Sequence, residues 1–307
     1  MKKHIAIIFS ALAALACTGA MAQASVGIAS GQQSGTNYPM AADISKVCSS
    51  NQLKINNVVS DGSLDNIMKI TTDRNTQFGI IQADALAYQK GIDPQMMKKI
   101  VMVFPFFSTE VHLVVKDGSP IKSLADLANK RVVEGPEGSG TWVTVQMIKA
   151  LTGINWIPLP MSQKAGIDAV VSGAVDAEFI VAGMPVKLIS ETKGVKLVSI
   201  SHPKLDSFGL YTKATIPSGG PDGAYPFLKN SLQTYKVDNV LATFDYKNSH
   251  QEVISGLVGC ITKNIGRLQS EDGFHAKWKD VSITDIDRIQ WPAHAAAAAA
   301  IKRNTKK

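Results

Sequence analysis

The sequence predicts an α/β chain built as two similar lobes facing one cleft, and three observations lead there. The first is a repeat: Ser-Gly-Thr occurs at Ser34-Gly35-Thr36 and again at Ser139-Gly140-Thr141. Each copy follows an apolar run that ends in glycine, residues 26–31 and 131–135, and then a small polar loop. Each copy also opens a segment with helical spacing. Tyr38, Met40, Ala41, Ile44 and Val47 follow the first, and Val143, Val145, Met147, Ile148 and Leu151 follow the second. The second observation is that the match continues downstream. A helical stretch at 63–70 leads to an apolar strand at 78–81 that ends at Gln82-Ala83-Asp84, and 167–171 leads to 179–181 and then Ala182-Gly183. The third is physical. Serine or threonine caps the orphan N–H groups at a helix start, and glycine lets a ligand approach the backbone closely. The amides left over, with the positive end of the helix dipole, form an anion site. One such loop is an ordinary helix cap; two in matching contexts describe a binding cleft.

The chain begins with Lys2 and Lys3, an apolar run over residues 5–16, and Ala20-Met21-Ala22. This is the pattern of a secretory signal with an A-x-A cleavage site, so Gln23 is expected to begin the mature, exported protein. The run is too short to span a bilayer. Cys17 raises lipid attachment, which Ala14-Leu15-Ala16 before it fits poorly. The remaining length allows two domains of ordinary size. The formal net charge of +7 comes from scattered residues, apart from Lys302, Arg303, Lys306 and Lys307 at the tail. With no basic stripe interleaved with aromatics, nucleic acid is excluded as a partner, while the mild positive excess favours an anionic solute.

Cys48 and Cys260 remain in the mature chain. In an oxidising compartment they pair if one lobe holds both; the alternative is a free, buried thiol at each. The β-prone stretch 110–115 reads as the first crossover between lobes, and the return is expected within 197–211. That gives residues 1–22 as signal, 23–112 with 206–307 as the first lobe, and 113–205 as the second. Residues 121–130 read as a short helix, 216–223 as turns, 240–244 as a strand, and the alanine run before Ile301 as a terminal helix that needs no packing partner.

Other residues invite functional readings beside plainer ones. Asp84 at a strand end either contacts solute or caps the next helix. Glu110 and His112 face one side of a strand, yet no third ligand for a metal is in view. Asp285 and Asp287 read as a helix-start cluster. Phe106, Phe107 and Trp142 either line the cleft or fill the core. The sequence has no G-x-S-x-G elbow, no H-E-x-x-H and no cysteine in a nucleophile motif, so no enzyme is expected and no cofactor or metal is called for.

These motifs, taken in order, resemble the TAXI proteins, the extracytoplasmic receptors of one branch of the tripartite ATP-independent periplasmic (TRAP) transporters. The resemblance rests on Gly31-x-x-x-Gly35-Thr36-x-Tyr38-Pro39, Gly62-Ser63-x-x-Asn66, residues 78–84, 111–115 and 124–132, Gly138-Ser139-Gly140-Thr141, Val175-Asp176-Ala177-x-Phe179 and Ala182-Gly183-x-Pro185. It implies a type II periplasmic-binding-protein fold that closes on a small anionic solute, such as glutamate, glutamine or a 2-oxoglutarate-like dicarboxylate. The receptor then delivers the solute to TRAP membrane permease subunits. The amides and hydroxyls of Ser34-Gly35-Thr36 and Ser139-Gly140-Thr141 would grip carboxylate oxygens from opposite lobes. Tyr38 would supply a wall with a polar tip, and Ser63, Gln82, Asp84 and the backbone at Ala182-Gly183 would complete the contacts. A monomer is expected. A sensing module for a receptor kinase would bind solute equally well, and a secreted enzyme on the same scaffold is the remaining alternative.

Overall fold

A computed structural model describes residues 23–219, 224–247 and 249–305. The expected signal (1–22), the turn formers at 220–223 and the last two lysines lie outside the described residues. In chain order the elements are β1 (Ala24–Gly31), α1 (Asn37–Cys48), β2 (Leu53–Val59), α2 (Ser63–Thr72), β3 (Phe78–Gln82), α3 (Ala83–Ile92), α4 (Pro94–Met97) and a long β4 (Ile100–Lys116). There follow β5 (Arg131–Val133), α5 (Gly140–Thr152), β6 (Ile157–Leu159), α6 (Gln163–Ser172), β7 (Ala177–Ala182), α7 (Lys187–Glu191), β8 (Val195–Val198), α8 (Pro203–Asp206) and β9 (Tyr211–Ile216). The chain finishes with β10 (Leu232–Phe244), α9 (Gln251–Ser270) and α10 (Ala295–Thr305).

The strands form one sheet in the order β2-β1-β3-β10-β4-β7-β5-β6, with β8 also on β4 and β9 also on β10. β4 and β10 are antiparallel and run through both lobes. The first part of β4 pairs with β10, whereas Glu110 to Val115 pair with β7. In β10, Leu232 to Val237 pair with β9 and Asn239 to Thr243 pair with β3. Side chains alternate across this sheet. Val111, Leu113 and Val115 pack with Phe179, Trp156 and Tyr235 on one face, while Val114 packs with Val133, Ile167 and Ile180 on the other. The first lobe packs α1, α9 and α10 on one face of its strands, around Phe78, Phe104, Trp278 and Ile301.

The return crossover differs from the sequence expectation. It is β10, not the 197–211 stretch. Leu205, Tyr211 and Tyr235 pack with Val111 and Leu113, and Ile216, Tyr225 and Leu228 pack with Val114 and Val133. Residues from 206 to about Val237 therefore belong with the second lobe. The turn formers after Ile216 follow β9, which pairs antiparallel with β10. Two helical readings also change. Within 121–130 the chain makes only a 3-10 turn, Leu124–Leu127, closed by a capping box between Ser123 and Asp126. The terminal helix is no solvated cap, because Ala297, Ala300 and Ile301 are buried against α9. Cys48 and Cys260 form a disulfide that joins α1 to α9 inside the first lobe.

Candidate functional site

The two Ser-Gly-Thr loops meet, but their side chains do different work. At the second copy Ser139 caps α5, its Oγ accepting from Trp142 N at 3.1 Å. The Gly140 and Thr141 amides are left without an acceptor among the described residues. At the first copy Thr36 is the N-cap of α1 yet makes no side-chain cap. Its Oγ1 crosses to the other lobe, accepting from Gly183 N at 3.1 Å and donating to Gly183 O at 3.3 Å. Thr141 Oγ1 accepts from Val181 N at 3.1 Å and keeps its own proton to donate.

Between these loops lies a cavity of about 80 Å³. Of the residues singled out from sequence, Gly35, Thr36, Ser63, Gln82, Ser139, Gly140, Thr141 and Ala182 line it. Gly183 stands behind Thr36 instead. Ser34 is exposed in the preceding turn, and Tyr38 is not among the lining residues; its backbone carbonyl accepts from Asn57 Nδ2 at 2.9 Å. Asp84 does not reach the cavity: it is fully buried and accepts from Thr144 Oγ1 at 2.6 Å and from the Tyr211 hydroxyl at 3.0 Å. Burial pushes its carboxyl up to about 6 against those hydrogen bonds. Asn37 and Gly62, which belong to the loops the sequence motifs mark, also line the cavity, as do Asp61, Thr109, Gln163 and Asn239, which sequence reasoning passed over. Asp61 is the only charged side chain among the lining residues.

The lobes touch at several points around this cavity. Leu64 N donates to Gly138 O at 3.1 Å. Gly62, at φ +123°, comes so near the opposite lobe that a Cβ would stand 3.0 Å from Ser139 Cα. Asn66 ties the start of α2 to β3 through Ile80 O at 2.6 Å, which fixes where that loop lies. Behind the Gly183 loop, Lys277 Nζ donates to both oxygens of Glu110 at 2.8 and 3.1 Å, and Met184 N donates to Glu110 at 2.9 Å. Burial raises the Glu110 carboxyl, and Lys277 opposes that.

The plainer readings hold elsewhere. His112 is buried, with Nδ1 against Ile180 O at 3.2 Å and Nε2 against the Tyr225 hydroxyl at 2.7 Å, and burial lowers it to about 4. Phe106 and Phe107 are in the core, and Trp142 stacks edge-on with Tyr88. Asp285 pairs with Arg288. Among the described residues no cluster of three His, Cys, Asp or Glu side chains is placed to hold a metal ion. No described helix is long and apolar enough to cross a membrane.

Two lobes joined by crossing strands, with a cavity between facing helix N-termini, define the two-lobe periplasmic-binding-protein fold. Solved structures share it. One described as a periplasmic transporter superposes with a TM-score of 0.55 at 14% identity, over 93% of both chains. The periplasmic sulfonate-binding protein SsuA from Methylobacillus flagellatus KT gives 0.52 at 13% identity, over 92% of this chain and 86% of that one. The substrate-binding protein of an amino acid ABC transporter gives 0.51 at 13%, over 85% of this chain and 98% of that one. At these identities the likeness is one of fold. Residues 28–302 match the NMT1-like family, and the chain belongs to it.

Proposed function

We propose that the protein is an extracytoplasmic solute receptor of the TAXI type. It captures a small acidic solute, glutamate- or dicarboxylate-like, between its lobes and delivers it to a TRAP-type membrane permease. One observation carries this reading: amides without an acceptor among the described residues, Thr36 and Asn37 at the start of α1 and Gly140 and Thr141 at the start of α5, approach one cavity from opposite lobes. A helix N-terminus contributes about 0.3–1 kcal/mol to anion binding, and up to ~2 when partly buried. Micromolar affinity needs about −8 kcal/mol. Most of the affinity therefore comes from the many contacts made as the lobes close and exclude water.

The test is thermal unfolding of the mature chain after it has been unfolded, freed of carried-over solute and refolded. The panel holds glutamate, glutamine, 2-oxoglutarate, succinate, a neutral branched amino acid and a sugar. A solute at 100 times its dissociation constant adds about 2.7 kcal/mol. A midpoint shift with acidic members alone is the expected result. A shift with the sugar alone refutes the site.

A further inference from the structure

The floor of the cleft has a hydrogen-bond polarity set from behind. A threonine hydroxyl has one proton to give. Thr144 gives its proton to Asp84, so toward Gln82 it only accepts, and Gln82 turns Nε2 to it at 3.4 Å. Thr109 gives its proton to Val237 O at 3.4 Å, and accepts from Gln82 Nε2 at 3.5 Å and from Asn239 Nδ2 at 3.3 Å. Asn239 Nδ2 also donates to Phe107 O at 3.2 Å, a carbonyl that only accepts. Both amide nitrogens thus face the protein, and both carbonyl oxygens are left without a hydrogen-bond partner among the described residues, in two residues that line the cavity.

Asn239 is 0% exposed and its Oδ1 has no partner among the described residues, while Gln82 is 4% exposed. Gln82 Oε1 lies against the first turn of α5, where a Cβ on Gly140 would stand 1.5 Å from it. An acceptor therefore adjoins the unpaired Gly140 and Thr141 amides. The one charged lining residue, Asp61, is an acceptor too.

We propose that the cleft selects a solute bearing an N–H donor beside its carboxylate, the α-ammonium group of an amino acid, with Gln82 and Asn239 as its specificity-determining residues. This rests on the anion-cleft reading above. A deaminated acid of the same length fills the cavity but leaves the two carbonyls unpaired, and a 2-oxo acid sets a third oxygen against them. Sites built to bond a polar group reject analogues that lack it strongly, by up to about 10⁴–10⁵-fold, and about 100-fold is expected here.

The experiment is calorimetric titration of the solute-free mature chain with glutamate, glutarate and 2-oxoglutarate, and with leucine and 4-methylpentanoate. Glutamate is expected to bind about 100-fold tighter than glutarate or 2-oxoglutarate. Gln82→Met, which removes one of the two carbonyls, should cut that ratio below about 10. Asn239→Leu should do the same, and it decides the matter if Gln82→Met does not fold. Equal or tighter binding of glutarate or 2-oxoglutarate overturns the proposal, as does an unchanged ratio in the folded variants or failure of every amino member to bind. Binding of leucine without glutamate, and not of 4-methylpentanoate, supports the donor assignment and overturns the acidic-solute reading instead.

Discussion

Replacing Glu178 by glutamine should make the protein more stable, and increasingly so as the pH rises. Glu178 lies in β7 opposite Val114 and Val133, is 0% exposed, and neither carboxyl oxygen has a partner among the described residues. Burial, with a smaller push from Asp168, raises it from 4.5 to about 9. A carboxyl that ionises at 4.5 unfolded and near 9 folded keeps its proton only in the fold, so the folded state binds more protons throughout that window. Its contribution is therefore fully present below 4.5 and is lost as the pH rises toward 9. At about 1.36 kcal/mol per pH unit, the loss is under about 1 kcal/mol at pH 5 and about 5 kcal/mol at pH 8. Asp84, Glu110 and His112 titrate in both proteins and cancel in the comparison. Thermal unfolding of the two proteins from pH 5 to 8 should show the gap widening by about 4 kcal/mol, roughly 8–16 °C for a chain of this size. A gap that stays constant with pH refutes the reasoning.

Lys277→Met leaves Glu110 buried without its counter-ion and should destabilise the fold by about 3–5 kcal/mol at pH 8. Glu110 takes up a proton more readily once the lysine is gone, so the loss should shrink toward pH 5; denaturant titrations with the same loss at both pH values contradict this. The Cys48–Cys260 bridge closes a separation of 212 residues, for which chain entropy gives about 5 kcal/mol. The Cys48→Ser/Cys260→Ser double variant should thus melt roughly 10 °C lower or more, and a drop of only a degree or two would show that the unfolded chain is not constrained by the bridge.

The parts of the site that were legible in the sequence are those made by local chemistry. A Ser-Gly-Thr before an apolar period announces a helix start, and α1 and α5 begin there. What the loop's hydroxyls would bond was not legible, because Thr36 finds its partner 147 residues away. Thr109 and Asn239 escaped notice for a different reason. They reach the cavity from β4 and β10, whose register across the lobes is a property of pairing and not of spacing. The first half of β10 carries Gln233, Lys236 and Asp238 among its apolar residues, which blurs the strand signal and moved the expected return crossover upstream. The disulfide stayed open because helical spacing places Cys48 and Cys260 on helices without saying that those helices touch. Asp84 drew two readings from its strand-end position, and burial beside Thr144 and Tyr211 supplies a third.

The two long crossing strands also dictate an order of assembly. The second lobe, from about Glu110 to Val237, is one continuous stretch of chain and can close as soon as it is available. The first lobe cannot. Its β3 is buried along its whole length, and the strand that covers its outer edge, β10, lies some 160 residues further along the chain. Until that strand arrives, Phe78, Ile80 and Ile81 present an unpaired apolar edge of the kind that recruits other chains. A polypeptide emerging from its N-terminus therefore finishes its second lobe before its first. The interval between them is when it most needs a chaperone or rapid synthesis to keep that edge from pairing elsewhere.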